Sequence, residues 1–129
     1  MNRYLDWFEQ AKRDLEKAKL DYANKFYEWA CFTCQQSAEK AVKALGMKLS
    51  FDLWGHSIFQ MLKVITEKIP IEEKLLNEAK LLDLLYIPSR YPNGFSIGKP
   101  SDYYTEKQAL EAIDAAVKII GFCESYISG

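Results

Sequence analysis

The chain has 129 residues, 49% of them hydrophobic and 27% charged, with a formal net charge of -1 at neutral pH. This size and balance fit one ordinary globular domain spanning residues 1–129, able to bury roughly two-thirds of its unfolded surface without disulfides or metal. The near-zero charge excludes a general nucleic-acid coat, whose affinity comes from many phosphate contacts, but leaves room for a small local basic site.

Taken in chain order, the pattern is helical. Tyr4, Phe8, Ala11, Leu15, Ala18 and Tyr22 recur at spacings of three and four, which predicts a first helix over about 2–23. Asn24-Lys25 is a short turn, and a second helix follows over about 26–48 with Cys31, Cys34, Ala38, Ala41, Val42 and Leu45 in its stripe. So short a connection makes the two helices an antiparallel hairpin. Glu39 and Lys43 stand at i,i+4, and Gly46 weakens the last turns. Residues 50–55 read as a loop. A third helix is predicted over about 56–68 with Ile58, Met61, Leu62 and Ile65 inward. Pro70 suits the first position of a fourth, carried by Leu75, Leu76, Ala79, Leu82, Leu85 and Tyr86 to about Ile87, where Pro88 disfavours helical geometry. Residues 88–102 hold three of the four prolines and two of the six glycines and have no helical period. A loop of that length is longer than a bundle connection needs, and its aromatic content favours order. Thr105 with Gln108 forms a capping box for a last helix to about Ile127, with Ala109, Ile113, Ala116, Ile120, Cys123 and Ile127 inward. The fold class expected is therefore all-α, an up-and-down bundle of four to five helices with a long loop before the last.

Three cysteines are present, and Cys31 and Cys34 have C-x-x-C spacing. The pair lies inside a helical pattern with no strand before it, so small buried residues are expected rather than a redox site. Zinc would need two further ligands, and the chain has one histidine; no metal and no cofactor is expected. The opening Met1-Asn2-Arg3-Tyr4-Leu5-Asp6 is polar from the start, and no apolar run approaches the roughly 20 residues that span a bilayer, so a cytoplasmic protein without membrane contact is expected.

Few residues could carry chemistry. Only three arginines occur against fourteen lysines, and Arg90 alone sits in the irregular loop. A guanidinium is suited to a planar, bidentate grip on phosphate or carboxylate; the alternative is an arginine that ties down the loop by bonding helix C-terminal carbonyls. His56, the only histidine, could act as a general base or acid, or could cap backbone groups or pack under Trp54. Gln35 lies in the apolar stripe of the second helix and must find partners, either Arg90 or a loop carbonyl, unless it is half exposed. Lys40, Lys43 and Lys48 give that helix a basic side, in the simplest case a solvated one. Tyr103 and Tyr104 read as packing residues before stacking platforms. No Gly-rich phosphate loop, H-E-x-x-H segment or serine elbow occurs.

Four segments, in order along nearly the whole chain, carry a family resemblance. They are Trp7-Phe8-Glu9-Gln10-Ala11-Lys12-Arg13-Asp14-Leu15; Trp29-Ala30-Cys31-Phe32 leading into Gln35-Gln36-Ser37-Ala38-Glu39-Lys40-Ala41-Val42-Lys43-Ala44-Leu45; Gly55-His56-Ser57; and Ser89-Arg90-Tyr91-Pro92-Asn93. Together they resemble the HEPN (higher eukaryotes and prokaryotes nucleotide-binding) domain. The resemblance implies a helical bundle that dimerises, with its functional groove near the dimer interface. In many prokaryotic cases the partner is a minimal nucleotidyltransferase in a toxin–antitoxin or related pair. Many members are metal-independent ribonucleases with an Arg, four to six residues, and then a His. Here no His follows Arg90, and His56 lies upstream, so that activity does not carry over directly. The expectation is a homodimeric module that binds a nucleotide or RNA phosphate through Arg90, Tyr91, Asn93, Gln35 and Lys43. The alternatives are a divergent ribonuclease using Arg90 with His56, and a non-catalytic scaffold partner.

Overall fold

The computed structural model describes residues 2–86 and 89–128, and every regular element among them is helical. Helices α1 (Tyr4–Ala23), α2 (Tyr27–Lys48), α3 (Ile58–Ile65), α4 (Glu73–Asp83), α5 (Pro100–Tyr103) and α6 (Glu106–Ile127) follow in order, with one 3₁₀ turn at Pro92–Gly94. Five of them build the bundle, and α5 is a single turn within the loop.

The hairpin of α1 and α2 is antiparallel, and its register can be read from three cross-links. Asn2 bonds the Met47 carbonyl, the Ser37 hydroxyl donates to the Ala11 carbonyl, and Lys40 pairs with Asp14. Asn2 near the start of α1 meets Met47 at the end of α2, while Ala11 and Asp14 in mid-helix meet Ser37 and Lys40 in the middle of α2. Helix α6 runs antiparallel to α1, where Tyr22 bonds Glu106 and Lys12 pairs with Glu124. It runs parallel to α2, because α3, α4 and the long loop intervene. Alanine makes the close approach possible. Ala11, Ala18, Ala30, Ala38, Ala41, Ala44, Ala109, Ala112, Ala115 and Ala116 are all fully buried along these three helices. Helix α2 is central and buried on most of its circumference, which accounts for its weak amphipathic pattern. Leu45, Ile58, Leu62, Ile65, Leu82 and Ile119 fill the remaining core, each worth about 1.5–3 kcal/mol of burial.

The ends of α3 and α4 depart from the expectation. Helix α3 starts at Ile58, not His56, because Ser57 is its N-cap and accepts from the Gln60 amide at 3.1 Å. A second cap comes from far along the chain. The Asp83 carboxylate at the end of α4 accepts from the Ser57 hydroxyl at 2.7 Å and from the Ile58 and Phe59 amides at 2.8 and 3.2 Å. A carboxylate at that position also faces the positive end of the α3 dipole. Helix α4 starts at Glu73, with Glu72 extended as its N-cap, so Pro70 lies before the helix and not at its first position. Its last helical residue is Asp83, and residues 84–86 turn; the end expected at Ile87 and the loop start at Pro88 lie outside the described residues. The capping box of Thr105 and Gln108 is present as expected.

The long loop is held by its own side chains. Ser89 is buried and bonds the Leu85 carbonyl. Phe95 stacks on Tyr103 at 4.4 Å and 3°, and meets Tyr104 edge-on at 6.4 Å. Tyr103 donates to the Ile97 carbonyl. Both tyrosines are thus packing residues. Among the described residues no helix is long and apolar enough to cross a membrane.

Candidate functional site

The stretch of α2 from Trp29 to Lys43, the residues before α3 and the turn after α4 converge on one cluster. At its floor is Glu39, only 5% exposed, which the fold surrounds with donors. Gln35 reaches one oxygen at 3.3 Å, His56 Nδ1 lies 3.0 Å from that same oxygen, and Lys43 bonds the other at 3.2 Å. Gln35, fully buried, also donates to the His56 carbonyl at 3.0 Å and accepts from Gln36 at 2.7 Å. Its amide therefore fixes both the backbone and the ring acceptor of His56. A carboxylate at Nδ1 leaves Nε2 as the ring nitrogen turned to other partners. Gly55, at φ +85°, turns the chain immediately before His56 into a conformation that a side chain resists.

Above this floor lies an aromatic cage. The His56 ring stacks on Tyr86 at 4.5 Å and 18°. Phe32 meets Tyr86 at 6.2 Å and Trp29 edge-on at 6.2 Å and 80°. The Arg90 guanidinium carbon sits over three rings: Phe32 at 4.3 Å, Tyr91 at 4.9 Å and Tyr86 at 5.0 Å. Cation–π contact holds the group in place without neutralising it. Its Nε donates to the Tyr86 carbonyl at 3.2 Å. Arg90 thus does tie down the turn after α4, with one of its five donors. Among the described residues its Nη groups make no hydrogen bond, and it has no carboxylate partner. Arg3 and Arg13, by contrast, pair with Asp6 and Glu16.

The residues expected to bind are only partly brought together. Arg90, Tyr91 and Asn93 share the loop; Tyr91 and Asn93 are exposed, and Asn93 lies in the 3₁₀ turn. Gln35 is sealed beneath, so it supports His56 and Glu39 and does not reach Arg90. Lys43 is committed to Glu39. The basic side expected on α2 is not a solvated one: Lys40 pairs with Asp14, and Lys48 bonds the Tyr126 and Ile127 carbonyls at 2.8 Å each. His56 packs on Tyr86 and not under Trp54, which is 81% exposed. The sequence reading missed Glu39, Tyr86, Phe32 and Trp29 as members of the cluster. Gln35 inside an apolar stripe was the available signal, since Glu39 lies one turn beyond it on the same face.

Cys31, Cys34 and Cys123 are buried and unpaired, and burial pushes the Cys31 thiol up to about 12 and the other two higher still. No group of three or more His, Cys, Asp or Glu able to hold a metal ion occurs among the described residues.

The HEPN domain profile matches residues 4–126. The structure of TT1696 from Thermus thermophilus superposes with a TM-score of 0.94 at 42% identity, over 98% of this chain and 99% of that one. ST0689, described as an archaeal HEPN homologue, gives 0.84 at 41% identity over 98% and 99%. A HEPN domain protein of Thermotoga maritima gives 0.78 at 36% identity over 95% and 98%. The Methanocaldococcus jannaschii protein named "Putative toxin MJ1304" is 25% identical over 94% of this chain and 86% of its own length. With a family match across nearly the whole chain, and relatives above one-third identity that share its bundle, this chain belongs to the HEPN domain family.

Proposed function

We propose that this HEPN protein binds the phosphate of a nucleotide or RNA strand at Arg90, acting as a homodimer with a minimal nucleotidyltransferase in a toxin–antitoxin-like pair. The carrying observation is Arg90 itself: caged by three rings, bonded once through Nε, and without a carboxylate partner among the described residues. A guanidinium so held offers its remaining donors as a preorganised fork for an oxyanion. Tyr91 lies against it and Asn93 follows in the same loop, while Gln35 and Lys43 act from beneath through Glu39. The toxin–antitoxin setting draws on the similarity to the Methanocaldococcus jannaschii protein. Calorimetric titration with nucleotides and short RNA tests the reading. Arg90→Ala should weaken binding by roughly tenfold or more, the weight of a charge-assisted pair. Equal affinity of the variant would remove Arg90 from the reading, and absence of binding by the parent protein would end it.

A second reading, a divergent metal-independent ribonuclease, draws on one contact pattern: His56 and Arg90 rest against the same Tyr86 ring. His56, oriented by Glu39, would take the 2′-hydroxyl proton, and Arg90 would stabilise the phosphate charge. Cleavage of RNA in the presence of a chelator, lost in His56→Gln and in Arg90→Ala alike, would favour it. Cleavage that survives His56→Gln would exclude it.

A further inference from the structure

The long loop contains an Asn-Gly pair, Asn93-Gly94, in the 3₁₀ turn Pro92–Gly94. Tyr91 and Phe95 on either side are extended, so this turn can change shape without unravelling a helix. Asn93 and Gly94 are both exposed. Among the described residues the Asn93 side chain makes no hydrogen bond. The Gly94 N–H reaches the Tyr91 carbonyl only at 3.5 Å, beyond the usual length of such a bond, so its nitrogen is loosely held. The three other asparagines differ. Asn2 donates to the Met47 carbonyl and accepts from the Tyr4 amide, and Asn24 donates to the Leu20 carbonyl. Asn77 lies within α4. Arg3, Lys25 and Glu78 follow them, each with a Cβ that crowds its own backbone nitrogen.

We infer that Asn93 is a site of spontaneous deamidation, at which the Gly94 backbone nitrogen attacks the Asn93 side-chain carbonyl carbon. Asparagine is a chemically labile side chain, and glycine favours this attack. With no Cβ, Gly94 leaves its nitrogen unhindered and turns freely into the backbone shape that the step requires. The new N–Cγ bond closes a succinimide ring. The Cγ–Nδ2 bond breaks, and the amide group leaves as ammonia with the proton from Gly94. Water then opens the ring at either carbonyl, giving aspartate or isoaspartate, and the new carboxyl ionises. The formal net charge of -1 becomes one unit more negative. The carboxylate enters three residues after Arg90, within a chain reach of roughly 11 Å, close to one Debye length. Arg90 has no carboxylate partner among the described residues, so the new charge offsets part of its positive field.

The test incubates the full chain at mildly alkaline pH for days and maps its peptides by mass. The peptide holding Asn93 should first lose the mass of one ammonia and then settle at the mass of the acid. The peptides of Asn2, Asn24 and Asn77 should stay unchanged over the same period. Gly94→Ala should slow the change at least about tenfold, and Asn93→Gln, which enlarges the ring to be closed, should slow it as well. An Asn93 peptide that keeps its mass, or changes no sooner than those of the other asparagines, overturns the inference. So does a Gly94→Ala chain that ages as fast as the parent. The effect on Arg90 rests on the phosphate reading above. Aged chain should bind inorganic phosphate at least about threefold more weakly than fresh chain, and Asn93→Asp should reproduce the loss. Equal binding by fresh and aged chain strikes that effect and leaves the modification standing. No binding by fresh chain ends the phosphate reading, and the peptide map alone then decides the modification.

Discussion

Replacing Gly46 by alanine sets two effects of opposite sign against each other. In isolation the change should stabilise α2, since alanine is better than glycine in a helix interior by about 1 kcal/mol. The structure opposes it. A Cβ on Gly46 would lie 2.4 Å from Leu53 Cδ1 and 2.9 Å from Cγ, with Leu53 Cβ at 3.8 Å. Leu53 lies across the glycine along most of its side chain, so moving its tip alone does not clear the clash. Overpacking of this kind costs about 1–3 kcal/mol, and swinging Leu53 outward would forfeit part of its burial instead. The net effect should be a loss of up to about 2 kcal/mol, read as a Tm lowered by up to roughly 8 °C in thermal unfolding. Leu53 also stands three residues before His56, so the change should disturb the His56 ring resonances. The decisive control is the same substitution in a Leu53→Ala background, where the obstacle is gone. There Gly46→Ala should raise the Tm above that of Leu53→Ala alone. A Tm raised by Gly46→Ala in the parent chain, or lowered in both backgrounds, would refute the argument.

Asp83→Ala removes one acceptor shared by a hydroxyl and two amides of α3. A loss of about 1.5–3 kcal/mol is expected from chemical unfolding, larger than a single cap deletion; a loss below about 0.5 kcal/mol would discount the long-range cap. Glu39→Gln keeps the shape but removes the charge opposite Lys43 and His56. It should cost about 2 kcal/mol, reduced from a fully buried pair because Lys43 can turn toward solvent. Amide exchange at residues 55–57 should quicken in parallel. The thiols predict an alkaline limit. Unfolded cysteines ionise near their ordinary value of 9.0, while burial holds Cys31 neutral up to about 12. A raised folded-state pKa gives stability that is complete below about pH 9 and declines as pH rises above it, so the Tm should fall on that side. Replacement of Cys31, Cys34 and Cys123 by alanine should flatten this alkaline fall, and an unchanged slope would assign it to other groups.

The three long helices were legible because their apolar stripes repeat at three and four and their ends are marked locally. The capping box of Thr105 and Gln108 is a signal written within four residues. The α3–α4 region was read less well for a physical reason: α3 is capped by Asp83, a residue 25 positions from Ile58, and no local pattern announces it. Pro70 satisfied the rule for a first helical residue, yet the helix begins only after Glu72, its extended N-cap. For the site, the loop position of Arg90 was visible, and so was the strain of placing Gln35 in an apolar stripe. That Gln35 answers to His56 and Glu39, and that Phe32, Tyr86 and Tyr91 enclose Arg90, depends on which helices become neighbours. The lysines of α2 misled in the same way. Read along one helix they form a basic face; in the bundle Lys40, Lys43 and Lys48 are taken up by α1, Glu39 and the end of α6.

The bond from Lys48 to the last carbonyls of α6, with Asn2 on Met47, gathers both described ends of the chain at the C-terminal end of α2. Phe32 lies 16 residues back along that helix, a rise of roughly 24 Å. Anything attached beyond Asn2 or Ile127 therefore emerges far from the aromatic cage. A tether to a surface, a fluorophore or a fused partner can be placed at either end with the cage left open to solution, and a permuted chain that joins the two ends and opens elsewhere has only a short gap to bridge.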